Sequence, residues 1–580
     1  MENGFVDYLK SMNNATSGNI NALAESQVTN KFYNSIRVTR KLGTNISNQI
    51  KSANNVVYIL TGHAGDGKTS ILIQVLKELG MLGDGEKLKV DDEINKDGIS
   101  LYYVKDMSEL AQERQIDLLK RALEAPTNNK SAILISNTGP LLNSFQRLLG
   151  SSDEIKDKIE NTLLEQLDTN ENKKISLLGY DFYLVNIARI DNTGFVKEII
   201  NKICKEENWT GCRQCENKER CPVFSNYTSI SENKNTVIDF VESYYRWLYE
   251  NDKRITIRQM LSQISFAITG NVKCDDLKKW DKRVFTKFQY SFANLFFGYK
   301  GINMLSNAKQ IKAIDYLQQL ELDSIALKSD YEMFVKNNFS ILPNGIQETV
   351  VRVWKEFSKR YHNEEDSKIN LENDLEMRRA IRRFYLVYGL KTDLSQDRFS
   401  EILGDTFVEY KRLISEKQSP RSLRSMKKVI FDALYIKNIG IPPKNENKLY
   451  LTLTRYDGAF QSVLLLLGKA NYDEIEVVQI EKDMSNEDIS KKFDLYLSIK
   501  NGVERFKLNL PILMYFKSVV DGAISTDMNP ALSHGLAELN SKLLKVFRYS
   551  DKNTIKMIVN TLAGTQDVEA QFEEDKVYII

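Results

Sequence analysis

The sequence predicts an α/β fold, a parallel sheet covered by helices, followed by a helical region and a small β-rich module. Two observations carry this. First, Val56–Leu60 is a β-branched and apolar run, suited to a strand buried on both faces. It leads through a glycine-rich turn into Ile71, Leu72, Val75, Leu76 and Leu79, apolar residues at helical spacing. Second, strand-like runs at 99–110, 131–142 and 180–192 are separated by amphipathic segments such as 107–123. Strands alternating with helices indicate a parallel sheet.

The turn Gly62-His63-Ala64-Gly65-Asp66-Gly67-Lys68-Thr69, followed by Ser70, matches G-x-x-x-x-G-K-[ST] in full. Glycines let backbone N–H groups converge on phosphate oxygens, and the helix start adds positive potential. Residues 62–70 are therefore the expected ATP-binding segment. Lys68 reaches the β- and γ-phosphates in this reading, and the Thr69 hydroxyl ligates Mg2+. Asp66 reads as a variable position of the loop. The expected fold class is a P-loop NTPase, AAA+/ASCE-like.

A hydrolysing site also needs a carboxylate to hold Mg2+ and polarise water. The run at 99–110 ends in Asp106 and Glu109, that at 131–142 offers Asn137, and that at 180–192 holds Asn186. Two assignments follow. In one, Asp106 is the metal-side acid, Glu109 a base, and Asn137 the polar sensor on the next strand. In the other, 99–105 is a flanking strand, the acid position is degenerate, and Asn186 is the sensor. The structural alternative for Asp106 is a helix N-cap, because Asp106 and Glu109 have capping-box spacing. Further on, Thr256 reads as the N-cap of a lid helix in 254–270, whose apolar positions Ile257, Met260, Leu261 and Ile264 follow a helical period. Arg258 is the candidate there for sensing the γ-phosphate, against the plainer reading of a surface arginine.

Four of the five cysteines, Cys204, Cys212, Cys215 and Cys221, fall within eighteen residues. Clustered cysteines of this kind more often bind metal than form disulfides inside cells. A structural Zn2+ held by these four is expected in a knuckle at 204–222, with an iron–sulfur cluster as the rival. Cys274 reads as an isolated core thiol.

The net charge of +2 confines any nucleic-acid contact to a local patch. Candidates are Arg378, Arg379, Arg382 and Arg383, and the stretch Arg421, Arg424, Lys427 and Lys428. Solvated helix faces are the plainer reading. The first residues lack the basic end and apolar run of a signal peptide, and no apolar run approaches a bilayer span. A cytoplasmic protein without membrane contact is expected. The expected division is an N-terminal helical segment (1–50), the ATPase domain (51–275), a helical domain (276–440) and a β-rich module with C-terminal helices (441–580). Asn501-Gly502 is the expected turn of a hairpin in the last.

Taken in order, "GHAGDGKT", the strand ending "ISNTGPL", "CRQCENKERCP" and the "TIRQ…ITG" helix resemble prokaryotic anti-phage defence ATPases. The nearest is the F subunit of the DNA phosphorothioation-dependent restriction system. The resemblance covers roughly residues 50–300. It implies an ATPase acting with partner subunits against foreign DNA; an oligomer is also expected, with DNA contact resting on the basic stretches above. Lys68 and Thr69 carry over directly. Relatives often show Asn-Glu where this chain has Asn137-Thr138. A nucleotide-driven, oligomerising sensor ATPase that activates a separate effector is the alternative.

Overall fold

The computed structural model describes residues 3–12, 30–53, 55–63, 65–83, 85–168, 173–278, 284–362, 371–390, 398–444, 446–453, 463–482, 491–523, 528–550, 554–561, 564–573 and 576–579. The chain divides into two compact units. Unit 1 runs to Arg398 apart from Glu250–Asp252, and unit 2 holds Glu250–Asp252, Phe399–Lys482 and the residues from Ser490 onward.

In unit 1 the labelled elements are α1 (Gly4–Ser11), β1 (Val57–Thr61), α2 (Lys68–Glu78), β2 (Asp91–Lys96), β3 (Ile99–Val104), β4 (Ser131–Ile135), α3 (Thr138–Leu149), β5 (Lys174–Leu177), β6 (Tyr180–Asn186), α4 (Pro222–Glu232), α5 (Ile257–Thr269) and α6 (Leu371–Tyr388). The strands form one six-stranded sheet in the order β2-β3-β4-β1-β6-β5. The inner strands β3, β4, β1 and β6 are mutually parallel. The edges depart from the expected wholly parallel sheet, because β2 and β5 each pair antiparallel with their neighbour. Both are made by tight hairpins. Asp97-Gly98 (φ 51° and 80°) and Leu178-Gly179 (φ 47° and 87°) supply the two positive-φ residues such a turn requires.

Side chains alternate across the central strands into two cores. Val57, Ile59, Ala132 and Leu134 point to one face, where Leu118, Leu141, Phe145 and Leu163 cover them. Tyr58, Leu60, Ile133 and Ile135 point to the other, against Leu42, Ile46, Ile71, Leu72 and Val75. Burial of each large apolar side chain contributes about 1.5–3 kcal/mol, which is why β1 admits no polar residue before Thr61. The C-terminal ends of the parallel strands thus emerge together at one edge of the sheet.

The boundary expected at 275 does not divide the structure. The helix Phe292–Phe296 packs on α5, and Gln263 Nε2 donates to the Phe296 carbonyl at 3.0 Å. Helix α6 joins the same unit through Arg383, which is fully buried and pairs with Asp323 at 2.6 Å.

Unit 2 contains α7 (Pro420–Ile439), β7 (Lys448–Thr452), β8 (Val463–Asn471), β9 (Ile475–Glu481), β10 (Phe493–Ile499), β11 (Glu504–Leu508), β12 (Thr554–Thr561), β13 (Gly564–Glu573) and β14 (Lys576–Ile579). Two sheets result, a five-stranded one in the order β14-β13-β12-β8-β7 and a three-stranded one in the order β9-β10-β11. The Asn501-Gly502 turn joins β10 to β11 as the sequence suggests, with Asn501 at φ 55° and Gly502 at φ 94°. Helices Leu510–Val520 and Pro530–Phe547 lie between the sheets' strands, so the chain closes on strands rather than on the expected terminal helices. Among the described residues no helix is long and apolar enough to cross a membrane.

Candidate functional site

Where β1 ends, the glycine-rich turn carries the chain into α2. Gly67 caps the helix at φ 89°, in the left-handed region that a side chain would strain. The first-turn N–H groups of α2 have no partner within the helix and face out of its end. Lys68 bends back over the turn. Its Nζ donates to the carbonyls of Gly62 (2.8 Å) and His63 (3.0 Å) and to Asn137 Oδ1 (3.0 Å). Burial pushes the Lys68 ammonium below its ordinary value, with Asp106 and Asp66 acting in the opposite direction. Ala64 lies outside the described residues.

A cavity of about 300 Å3 opens over this turn. His63, Gly65, Asp66, Gly67, Lys68, Thr69 and Ser70 line one end, and Asp106, Glu109 and Arg258 approach from neighbouring elements. Asp106 follows β3 and Asn137 follows β4, so the sheet order brings both beside the turn. Asp106 is not a helix cap. The helix after it begins at Gln112, and Asp106 Oδ1 instead accepts from Ser108 N–H at 2.9 Å in a short turn. Glu109 is exposed at the rim. Asn137 sits at the N-cap of α3 without capping it, its side chain committed to Lys68. Asn186, the rival sensor, is occupied elsewhere: it accepts from Ala188 N–H and donates to the Leu167 carbonyl.

Helix α5 is placed as expected. Thr256 and Gln259 form a reciprocal capping box, with bonds of 3.3 and 2.9 Å. Arg258, in its first turn, is half-buried on the cavity wall, where burial lowers its pKa from the ordinary value.

Three site features lie beyond the sequence reading. Asp66, read from the sequence without a structural part, serves as a post for the turn. It is fully buried, accepts from His63 N–H at 2.7 Å, and pairs with Arg254 at 2.6 Å. Arg254 also donates to the carbonyls of Ile187 (2.8 Å) and Ile190 (3.4 Å), tying the glycine-rich turn to the entry of α5 and the exit of β6. Arg40, 2% exposed, donates to the Asp66 carbonyl at 3.1 Å from behind. Last, Met12, Tyr33, Ile36, Val38, Ile257 and Leu261 give the cavity an apolar end. Beside them Arg37 Nη1 is buried with no hydrogen-bond partner among the described residues.

The cysteines are not grouped as expected. Cys212, Cys215 and Cys221 line one small cavity together with Cys274, the thiol read as isolated. Cys204 stands apart. It ends the helix Phe195–Ile203 and is 6% exposed, and burial raises its pKa to about 11. Among the described residues no group of three or more Cys, His, Asp or Glu side chains is set to hold a metal ion as it stands.

The arginine row on α6 is not a free basic face. Arg382 grips Asp330 through both Nε and Nη2, Arg383 pairs with Asp323, Arg378 with Asp374 and Arg379 with Glu376. In the second stretch Lys427 is buried over the Tyr472 ring at 3.8 Å, while Arg421, Arg424 and Lys428 are exposed. No protein-family model matches the chain, and no curated protein matches it.

Proposed function

We propose that unit 1 binds ATP with Mg2+ in this cavity and hydrolyses it, as the ATPase of an oligomeric prokaryotic defence complex directed at DNA. The observation that carries the chemistry is that Lys68, Thr69 and Asp106 share one cavity. They come from a helix start and from a separate strand end, so local sequence alone does not bring them together. The defence role rests on the sequence resemblance.

The residues divide the work. The N–H groups at the start of α2 and the Lys68 ammonium hold phosphate oxygens, Lys68 exchanging the Gly62 and His63 carbonyls for them. Asn137 keeps that ammonium aimed. The Thr69 hydroxyl and Asp106 carboxylate are hard oxygen donors, the kind Mg2+ takes, and they fit it. Held by these two oxygens, Mg2+ would supply positive charge against the phosphates. Glu109 is the further carboxylate on the cavity wall able to take a proton from water, and Arg258 adds positive charge. The apolar end accepts a flat base, with the unpaired Arg37 donor beside it.

Turnover of ATP by the full chain, compared with Lys68→Ala, tests this reading. Hydrolysis lost in the variant is expected; an unchanged rate would overturn it.

A further inference from the structure

Two residues after α5 and its Gly270 cap, Val272 enters the small cavity that Cys212, Cys215, Cys221 and Cys274 also line. Its volume is about 30 Å3. Asn3, Val6, Phe224 and Leu277 close most of the remainder, so the four thiols face a compact, largely apolar hollow.

We propose that Cys212, Cys215, Cys221 and Cys274 bind one structural Zn2+, with Cys274 and not Cys204 as the fourth ligand. Four thiolates around one ion satisfy the closed tetrahedral set of a structural zinc site. As they stand the side chains are not drawn onto a common point. Rotation about Cα–Cβ swings a thiol sulfur without moving the backbone, so binding closes a set already gathered at one cavity.

The surroundings suit a thiolate cluster. Cys212 Sγ accepts from Asn3 Nδ2 at 3.2 Å, and Cys221 is the N-cap of α4, beside that helix's first N–H groups. Donors of this kind orient ligating groups and offset their charge. Lys218 lines the same cavity and Lys10 lies near Cys212, supplying positive charge against a four-thiolate set. Cys204 lies outside this cavity, at the end of the helix Phe195–Ile203.

The exchange of ligand changes what the metal does. A set ending at Cys221 would brace only its own loop. Cys274 instead fastens the segment leaving α5 to that loop and, through Asn3, to α1. The opposite end of α5 carries Arg258 on the nucleotide cavity, and Met12, just past α1, lines that cavity too. The zinc would anchor the far end of the helix that reaches the nucleotide.

Metal content of the purified full chain, read for wild type and single Cys→Ser variants, tests the assignment. Zinc at about one per chain is expected in wild type and Cys204→Ser, falling to a tenth or less in Cys274→Ser. Retention by Cys274→Ser with loss in Cys204→Ser would overturn it, as would iron or no metal in wild type. Because Cys274→Ser can fail to fold, Co2+-exchanged Cys204→Ser provides a second reading. It should keep the wild-type four-sulfur absorption spectrum; a changed sulfur count would overturn the proposal.

Discussion

Replacing Asp66 with alanine removes a fully buried carboxylate bonded at both oxygens, to His63 N–H at 2.7 Å and to Arg254 Nη1 at 2.6 Å. Breaking a buried ion pair from one side costs about 3–5 kcal/mol, because the surviving charge is left uncompensated. The Arg254 side chain is 19% exposed and keeps the Ile187 and Ile190 carbonyls, which places Asp66→Ala near the lower end, about 3 kcal/mol. Arg254→Ala instead strands a carboxylate with no exposure and costs about 4 kcal/mol. The double variant has no stranded charge. Its loss should therefore fall about 3 kcal/mol short of the sum of the single losses. Urea denaturation followed by tryptophan emission isolates this unit, since Trp209, Trp247, Trp280 and Trp354 all lie in the part of the chain that forms unit 1. Additivity within about 0.5 kcal/mol would refute the claim that this pair locks the glycine-rich turn to α5.

Other outcomes follow from the same geometry. Lys68→Ala removes the donor proposed to hold the phosphates and should slow phosphate release from ATP by about 10²–10³-fold, measured at saturating nucleotide. Burial disfavours the charged form of Lys68, whereas bound phosphate favours it, so nucleotide binding takes up a proton once the free site has lost one. Affinity should hold steady at low pH and weaken as pH rises through the lowered lysine pKa; calorimetry should find this in wild type and a flat profile in Lys68→Arg. Arg383→Met strands Asp323, which is itself buried, and should destabilise unit 1 by about 3–5 kcal/mol while leaving duplex-DNA affinity unchanged. Weaker DNA binding by a variant of normal stability would restore the arginine row as a contact surface.

What the sequence made legible was local. The Val56–Leu60 run, the glycine turn, the apolar period of α2 and the Thr256 cap each sit within a few residues of the structure they specify, and each is found in place. The Asn501-Gly502 hairpin is legible for the same reason. The site's supports were hidden because they are long-range. Asp66 and Arg254 are 188 positions apart, and no periodicity links them. The arginines of α6 look like a basic face at i, i+3 and i+4 spacing. Only the fold brings Asp323 and Asp330 to them and turns a charge run into buried pairs. The cysteines show the same limit: closeness in sequence grouped Cys204 with the knuckle, whereas packing groups Cys274 with it. One choice the fold favours but the sequence left open is the acid. With β4 seated between β3 and β1, Asp106 and Asn137 both reach the glycine-rich turn, which supports the first of the two assignments.

Asp106→Asn is the most direct trial of the ATPase account, because it changes one oxygen to nitrogen and leaves an Oδ1 to accept from Ser108 N–H. Phosphate release and nucleotide binding should be measured side by side for wild type and this variant with ATP and Mg2+. The account predicts wild-type hydrolysis, retained ATP binding in the variant, and turnover reduced by about two orders of magnitude or more. Equal turnover in the two proteins would contradict it and remove Asp106 from the chemistry.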